Sequence, residues 1–340
     1  MADRERAYRI ASRHSGAYVA LCGGIGGAKL ALGLSQVLDG SNLTIVVNTG
    51  DDFEHLGLHI SPDVDTVMYT LAGIANPATG WGRRDETWAF MDAIERLGGA
   101  TWFKLGDGDL AMHVERTRRM RAGEPLSAVC EHMRRSLGIA ARILPMSDDP
   151  VRTIVETDEG TLGFQEYFVG RQCAPTLHAI RYDGAKTAKP AARVLEALSR
   201  PELRGVIICP SNPYLSIDPM LAVPGLRDAI RACGCPVVAV SPIVGGRAIK
   251  GPAAKIMKEL GVQASAATIV RHYDGLIDGL VLDDLDQALA GELSLPALVT
   301  NTVMRSLEDR VALARSVIDF CERLTDRFTS TRDGAREGTA

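Results

Sequence analysis

Short apolar runs that end in glycine, asparagine or serine mark both ends of the chain. AYVALCGG (17–24) and LTIVVNTG (43–50) make the first pair, with a helix-like stretch from about Ala28 to Leu38 between them. GVIICPSNP (205–213) and CPVVAVSPIVGG (235–246) make the second pair, each followed by helix-like sequence. Such runs read as the buried strands of a parallel sheet. Their alternation with helices implies right-handed βαβ units and a doubly wound α/β fold. Between the two regions, VRTIVET and TLGFQEYFV flank Asp158-Glu159-Gly160, a turn signal that predicts a hairpin. Segments 88–98 and 112–137 read as helices. The expected organisation is one α/β domain over 17–328, with a core from 17–80 and 203–310 and a mixed helical and hairpin insertion over 81–202. Residues 1–16 read as a polar extension without the apolar stretch of a secretory signal, and 329–340 as a polar tail.

Composition narrows the classes. In 340 residues, 46% hydrophobic and 24% charged content is that of a soluble globular protein. The net charge of −4 argues against coating nucleic acid, and no window approaches the roughly 20 apolar residues of a membrane helix. The seven cysteines are scattered. The nearest pair, Cys233 and Cys235, is spaced too tightly for a CxxC metal knuckle. Its apolar neighbours suggest buried thiols in a reducing cytosol.

The chemistry gathers after the strands. Gly23-Gly24-Ile25-Gly26-Gly27-Ala28-Lys29 follows one strand and opens a helix, which aims backbone N–H groups at whatever lies above the sheet, a natural anion site. Glycines there are expected to let a phosphate approach. The turn departs from GxGxxG at Lys29, and from a P-loop because no serine or threonine follows that lysine. Asn48-Thr49-Gly50-Asp51-Asp52 follows the next strand, at the carboxyl edge where open parallel sheets place ligands. Asp63 and Asp65 come shortly after, before the apolar run VMYTLAGI. Helix capping accounts for one aspartate but not for four carboxylates beside a phosphate-binding turn. Carboxylates repel a diphosphate unless a cation intervenes, so Asp51, Asp52, Asp63 and Asp65 are candidate Mg²⁺ ligands. The alternative is hydrogen bonding to a ribose or ligand hydroxyl. Lys104-Leu105-Gly106-Asp107-Gly108-Asp109, with His113 beyond it, reads equally as a site or an ordinary turn. Ser211 and Asn212 lie at the same edge, as donors to a base or phosphate or as turn chemistry before Pro213. Arg247 and Lys250, after the next strand, suit phosphate by type.

In order along the chain, GGIGGAKL, VVNTGDD, SPDVDTVMYTL, GWGRRDETW, WFKLGDGDLA, LPMSDDPVRT, FQEYFV, PSNPYLSI, AVSPIVGGRAIKGPA and VRHYDGLIDG closely resemble the 2-phospho-L-lactate transferase family of coenzyme F-420 biosynthesis, which includes phosphoenolpyruvyl transferases. The resemblance runs from Val19 to about Asp309. It implies a Rossmann-like core, Mg²⁺ dependence and a homodimer, while the cysteines and the N-terminus point to a cytoplasmic setting. It also implies a guanosine-diphosphate-linked phosphocarboxylic acid as donor, the deazaflavin alcohol Fo as acceptor, and GMP as a product. On this chain it places nucleotide or donor binding on Gly23, Gly24, Gly26, Gly27, Ser211 and Asn212, and Arg247 joins that set by residue type. Asp51 and Asp65 take the metal and catalytic roles, and Asp65 and Lys104 the acceptor region. Replacing Asp65 by alanine is therefore expected to abolish transfer and leave the fold intact. The chain departs from many relatives at Gly108 and Met112, where arginine and threonine are frequent. Two rival readings differ in class. A non-catalytic nucleotide-sugar-binding regulator is expected to carry an ADDGGSSG-like stretch in place of NTGDDFEHLGLHISPD, and a nicotinamide oxidoreductase lacks its third glycine here.

Overall fold

All six residues from Ala17 to Cys22 are buried, because this strand is covered on both faces. Tyr18, Ala20 and Cys22 join one apolar cluster, while Ala17, Val19 and Leu21 join the other, the period-two alternation of a strand. The computed structural model describes residues 16–248 and 253–337. Its strands, in chain order, are β1 (Ala17–Cys22), β2 (Leu43–Val47), β3 (Phe53–His55), β4 (Leu58–Ile60), β5 (Arg142–Pro145), β6 (Arg152–Thr157), β7 (Gly160–Gly163), β8 (Leu177–Asp183), β9 (Leu203–Ile208), β10 (Val237–Val240), β11 (Ile243–Val244), β12 (Arg247–Ala248), β13 (Gly279–Leu282) and β14 (Ala297–Val299).

Seven of them form the central sheet in the order β14-β13-β10-β9-β1-β2-β5, and every pairing is parallel. Helices Ile25–Val37, Pro62–Leu71, Leu126–Ser136 and the first part of Leu307–Glu337 cover one face. Helices Ala192–Leu198, Leu226–Arg231, Ala253–Glu259 and Ala266–His272 cover the other. This is the doubly wound α/β architecture expected. From β1 the chain runs outward through β2 to β5, then returns to β9 and runs the opposite way to β14. The order reverses between β1 and β9, and there the loops diverge to leave a crevice above the carboxyl ends.

Four local expectations are corrected. β5 lies within the stretch read as an insertion, yet it is the sheet's edge, pairing Thr44 with Arg142 and Val47 with Pro145. Its apolar run is only Ile143 and Leu144 before a proline, which an edge strand tolerates. The stretch 112–137 is two helices, Asp107–Arg121 and Leu126–Ser136, divided where Gly123 takes φ +92° and Pro125 caps the second helix. The hairpin β6–β7 turns at Asp158-Glu159 as expected. However, β7 stops at Gly163, Glu166–Gly170 coil into a helical turn, and β8 adds a third strand against β6. The supposed polar tail carries the end of a helix that runs to Glu337. The extension before Gly16, and Lys250, lie outside the described residues.

Candidate active site

At the reversal point the glycine turn meets the loop after β9. Gly23 N–H donates to Ser211 Oγ at 3.0 Å. Gly24 caps the helix Ile25–Val37, and no side chain makes a capping hydrogen bond to that helix N-terminus, so its free N–H groups are left for a ligand in the crevice. The glycines also meet a steric need inside the protein. A Cβ on Gly26 would lie 2.2 Å from Pro210 O, one on Gly27 2.6 Å from Cys22 Sγ, and one on Gly23 2.2 Å from Ser216 Oγ. They let protein approach protein and so hold the turn down on the β9 loop. Gly26→Ala is accordingly expected to destabilise the protein by about 1–3 kcal/mol through overpacking and to weaken GDP binding. Thermal melting and calorimetry check both effects, and an unshifted melting temperature would contradict the packing role. Ser211 is buried against the turn. The Asn212 side-chain oxygen accepts from the N–H groups of Tyr214 and Leu215, the turn-capping alternative, and leaves its amide nitrogen for a ligand.

The four aspartates separate into two environments. Asp51, Asp52 and Asp63 lie beside the turn. A Cβ on Gly24 would be 2.8 Å from Asp63 Oδ1. Asn48 at the end of β2 organises this group: its amide donates to Asp63 Oδ2 at 3.0 Å and to Leu215 O, and its oxygen accepts from Gly50 N–H. Asp52 Oδ2 is held by Ser61 at 2.8 Å and His59 at 3.0 Å, but Oδ1 is buried with no partner, as is Asp51 Oδ1. Burial drives the Asp51 carboxyl well above the usual carboxylate range, and Asp63 and Asp52 push it further. Burial likewise pushes Asp63 up to about 7, against the Asn48 hydrogen bond and with help from Asp52. These groups lack positive charge.

Asp65 faces the other way. Both its oxygens are taken by the Arg116 guanidinium, Nη1 at 3.1 Å to Oδ2 and Nη2 to Oδ1. Burial pushes the Asp65 carboxyl up, and Arg116 and then His113 draw it back. Arg116, fully buried, loses solvation but is held charged by Asp65. Next to this pair, His113 Nε2 lies 3.2 Å from Asp109 Oδ2, and Tyr69 donates to Asp109 Oδ1 at 2.5 Å. Asp109 stays below the usual range despite burial because of His113 and Tyr69. Among the described residues, Asp65, Asp109 and His113 are the one set of three potential ligand atoms within 4.8 Å of one another. The guanidinium already supplies the cation there. Magnesium needs only one or two carboxylates when substrate phosphates and water complete its octahedron. The open oxygens of Asp51 and Asp52, with Asp63 beside them, fit that demand better than Asp65 does.

A helical pair closes the site's far side. Asp107 accepts from Ala89 and Phe90 N–H at the start of the helix Ala89–Arg96, while Glu86 accepts from Gly108 and Asp109 N–H at the start of the helix Asp107–Arg121. A side chain on Gly108 would meet the Arg83 guanidinium at 3.1 Å. Lys104 is exposed, two residues from Trp102. The rings of Trp102 and Phe103 pack on Phe53 and His55, which follow Asp52. Arg247 is exposed on the β11–β12 hairpin beyond β10.

The sequence profile of the family described as 2-phospho-L-lactate transferase CofD matches residues 18–297, through the glycine turn, both carboxylate groups and the β9 loop. The chain belongs to this family. It is 42% identical over 313 residues to a protein named phosphoenolpyruvate transferase from Streptomyces griseus, covering 89% of this chain and 98% of that one. A 2-phospho-L-lactate transferase of Methanocaldococcus jannaschii is 38% identical, with 88% and 97% covered. Among solved structures, a UPF0052 family member from Bacillus halodurans superposes with a TM-score of 0.58 at 14% identity, covering 90% of this chain and 99% of that one. At that identity it attests the fold alone. The CofD relatives are named transferases, so the chain is placed with enzymes. No helix among the described residues is long and apolar enough to cross a membrane.

Arg116, Tyr69, Asn48, His59 and Glu86 were not assigned from sequence. The signal for Arg116 was present: Asp109, His113 and Arg116 stand at i, i+4 and i+7, a charged stripe on one helix face, and only a buried acidic partner explains it.

Proposed function

We propose that this protein transfers a phosphocarboxylate group from its guanosine-diphosphate-linked donor to the deazaflavin Fo and releases GMP, in coenzyme F-420 biosynthesis. The observation that carries the reading is the pairing, at the β1/β9 reversal, of a helix N-terminus without a side-chain cap with a buried set of carboxylates short of positive charge. An anionic ligand bridged by a divalent cation satisfies both at once. The names borne by relatives supply the donor classes, 2-phospholactyl and enolpyruvyl, with 3-phosphoglyceryl as a third of similar size.

The free N–H groups at Gly24–Gly26 and the amide of Asn212 would bind the nucleotide phosphates. Asp51, Asp52 and Asp63 together would hold Mg²⁺, the open oxygens of Asp51 and Asp52 facing it, and His59 and Ser61 would fix the Asp52 rotamer. Bound there, the ion would neutralise phosphate charge. Asp65, clamped to Arg116, would shape the acceptor side, with Lys104 and the Trp102 platform flanking Fo. The acceptor's terminal hydroxyl attacks the phosphorus that bears the acid, its proton passes to a carboxylate of the cluster, and the GMP phosphate departs. Transfer of this kind depends on positioning and charge neutralisation more than on covalent work by the protein. A homodimer and a cytoplasmic setting belong to the same proposal, and light scattering of the purified protein tests the former.

Purified protein is incubated with Fo, Mg²⁺ and each of the three guanosine-diphosphate-linked acids, and products are read by mass spectrometry. GMP and a coupled deazaflavin are expected with one donor and should vanish with EDTA. Tight GDP binding without product from any donor would overturn the transferase reading.

A further inference from the structure

Cys233 and Cys235 are not the buried thiols their apolar neighbours suggested. They sit half-buried in the turn between the helix Leu226–Arg231 and β10, at the amino edge of the sheet, opposite the nucleotide crevice. Their sulfurs are 3.3 Å apart. Gly234 between them is exposed at φ +72°, with nothing within 4 Å of a Cβ placed there, so the turn is free to adjust as the sulfurs approach a bonded distance of about 2.05 Å. No histidine, aspartate, glutamate or further cysteine joins them in a ligand set among the described residues, so the four-coordinate zinc site that two thiolates would begin is not formed. Of the other cysteines, Cys22, Cys130, Cys209 and Cys321 are buried, and only Cys173 is partly accessible.

We propose that Cys233 and Cys235 form a reversible dithiol–disulfide site that reacts with low-molecular-weight disulfides. The Cys233 thiolate attacks one sulfur of the oxidant and expels one thiolate, giving a mixed disulfide. The Cys235 thiol, losing its proton to solvent, then displaces the second thiolate and closes the ring. Two protein thiols are oxidised and one external disulfide is reduced to two thiols. The order follows from the hydrogen bond between the sulfurs, which draws the Cys233 thiol down to about 7 and holds Cys235 protonated. A closed ring of this size is strained, and strained, exposed disulfides are readily reduced again.

The full-length protein is treated with oxidised glutathione at neutral pH, then alkylated, digested with trypsin and weighed. Cleavage after Arg231 and Arg247 leaves both cysteines, and no other, on one peptide. That peptide is expected to lose both alkylation sites and two hydrogens, to recover them with dithiothreitol, and to react about tenfold faster than Cys173, whose thiol burial pushes up. Cys235→Ser should stop at a glutathione adduct on Cys233, and Cys233→Ser should lose the fast reaction. Equal alkylation before and after oxidation, a persistent adduct in the unmodified sequence, or faster oxidation of Cys173 would each overturn the proposal. None of these readouts depends on transferase activity.

Discussion

Asp65→Ala is expected to destabilise the protein by about 3–5 kcal/mol, because it leaves the fully buried Arg116 guanidinium without its counter-ion. This revises the expectation from sequence that the substitution would spare the fold. Asp65→Asn keeps an acceptor and should cost less. Replacing both partners by apolar residues of similar volume, as in Asp65→Leu with Arg116→Met, should recover most of the loss, since the pair's desolvation then disappears with it. Melting curves of the two single variants and the double variant form a coupling cycle. A wild-type melting temperature for Asp65→Ala would show that Arg116 finds solvent or another partner and that Asp65 is free for the active site. Lost activity in that variant has meaning only beside its stability.

Asp63→Asn has the opposite signature. The Asp63 carboxyl is raised from 3.8 to about 7 in the fold. Between those values the folded protein holds a proton that the unfolded chain has lost, so this group's contribution, present below pH 4, fades as pH rises through 7. Without metal, Asp63→Asn should therefore melt higher than wild type at pH 8 and about equally at pH 4. Turnover at saturating Mg²⁺ should fall on the order of 10²–10³-fold, the equivalent of several kcal/mol of phosphate-charge stabilisation. The rise in melting temperature on adding Mg²⁺ with GDP should shrink as well. A variant that keeps both the metal-dependent shift and the turnover would remove Asp63 from the metal site.

The sheet was legible because β1, β2, β9 and β10 are apolar runs that end in turn residues, and the parallel sheet buries both faces of each. β5, β13 and β14 carry runs of only two or three apolar residues, too short to separate from loop or helix, and they become strands because a neighbouring edge accepts them. The carboxylates were legible as a group, but their division was not. Asp63 and Asp65 are two residues apart on a helix, which turns them about 200° from each other. One faces the glycine turn, and the other faces the helix Asp107–Arg121. That partition depends on Arg116, 51 positions away from Asp65, which no local pattern reveals. The packing demand on the glycines was hidden for a similar reason: what crowds Gly26 is the carbonyl of Pro210, distant in sequence.

The central position of β1 has a consequence for how the chain reaches its native state. β1 finds β2 within a few dozen residues, but its other edge waits for β9, where Ala17 pairs with Leu203 and Gly23 with Ser211, a separation of 188 residues in the latter case. At about 5–20 residues per second of synthesis, this strand, buried along its whole length in the native fold, spends roughly 10–40 s with an unpaired edge. Loop closure over such a distance is slow. The crevice between the glycine turn and the β9 loop cannot exist in any nascent chain shorter than about 215 residues, so a cell making this protein must shelter a sticky half-sheet until its second half emerges.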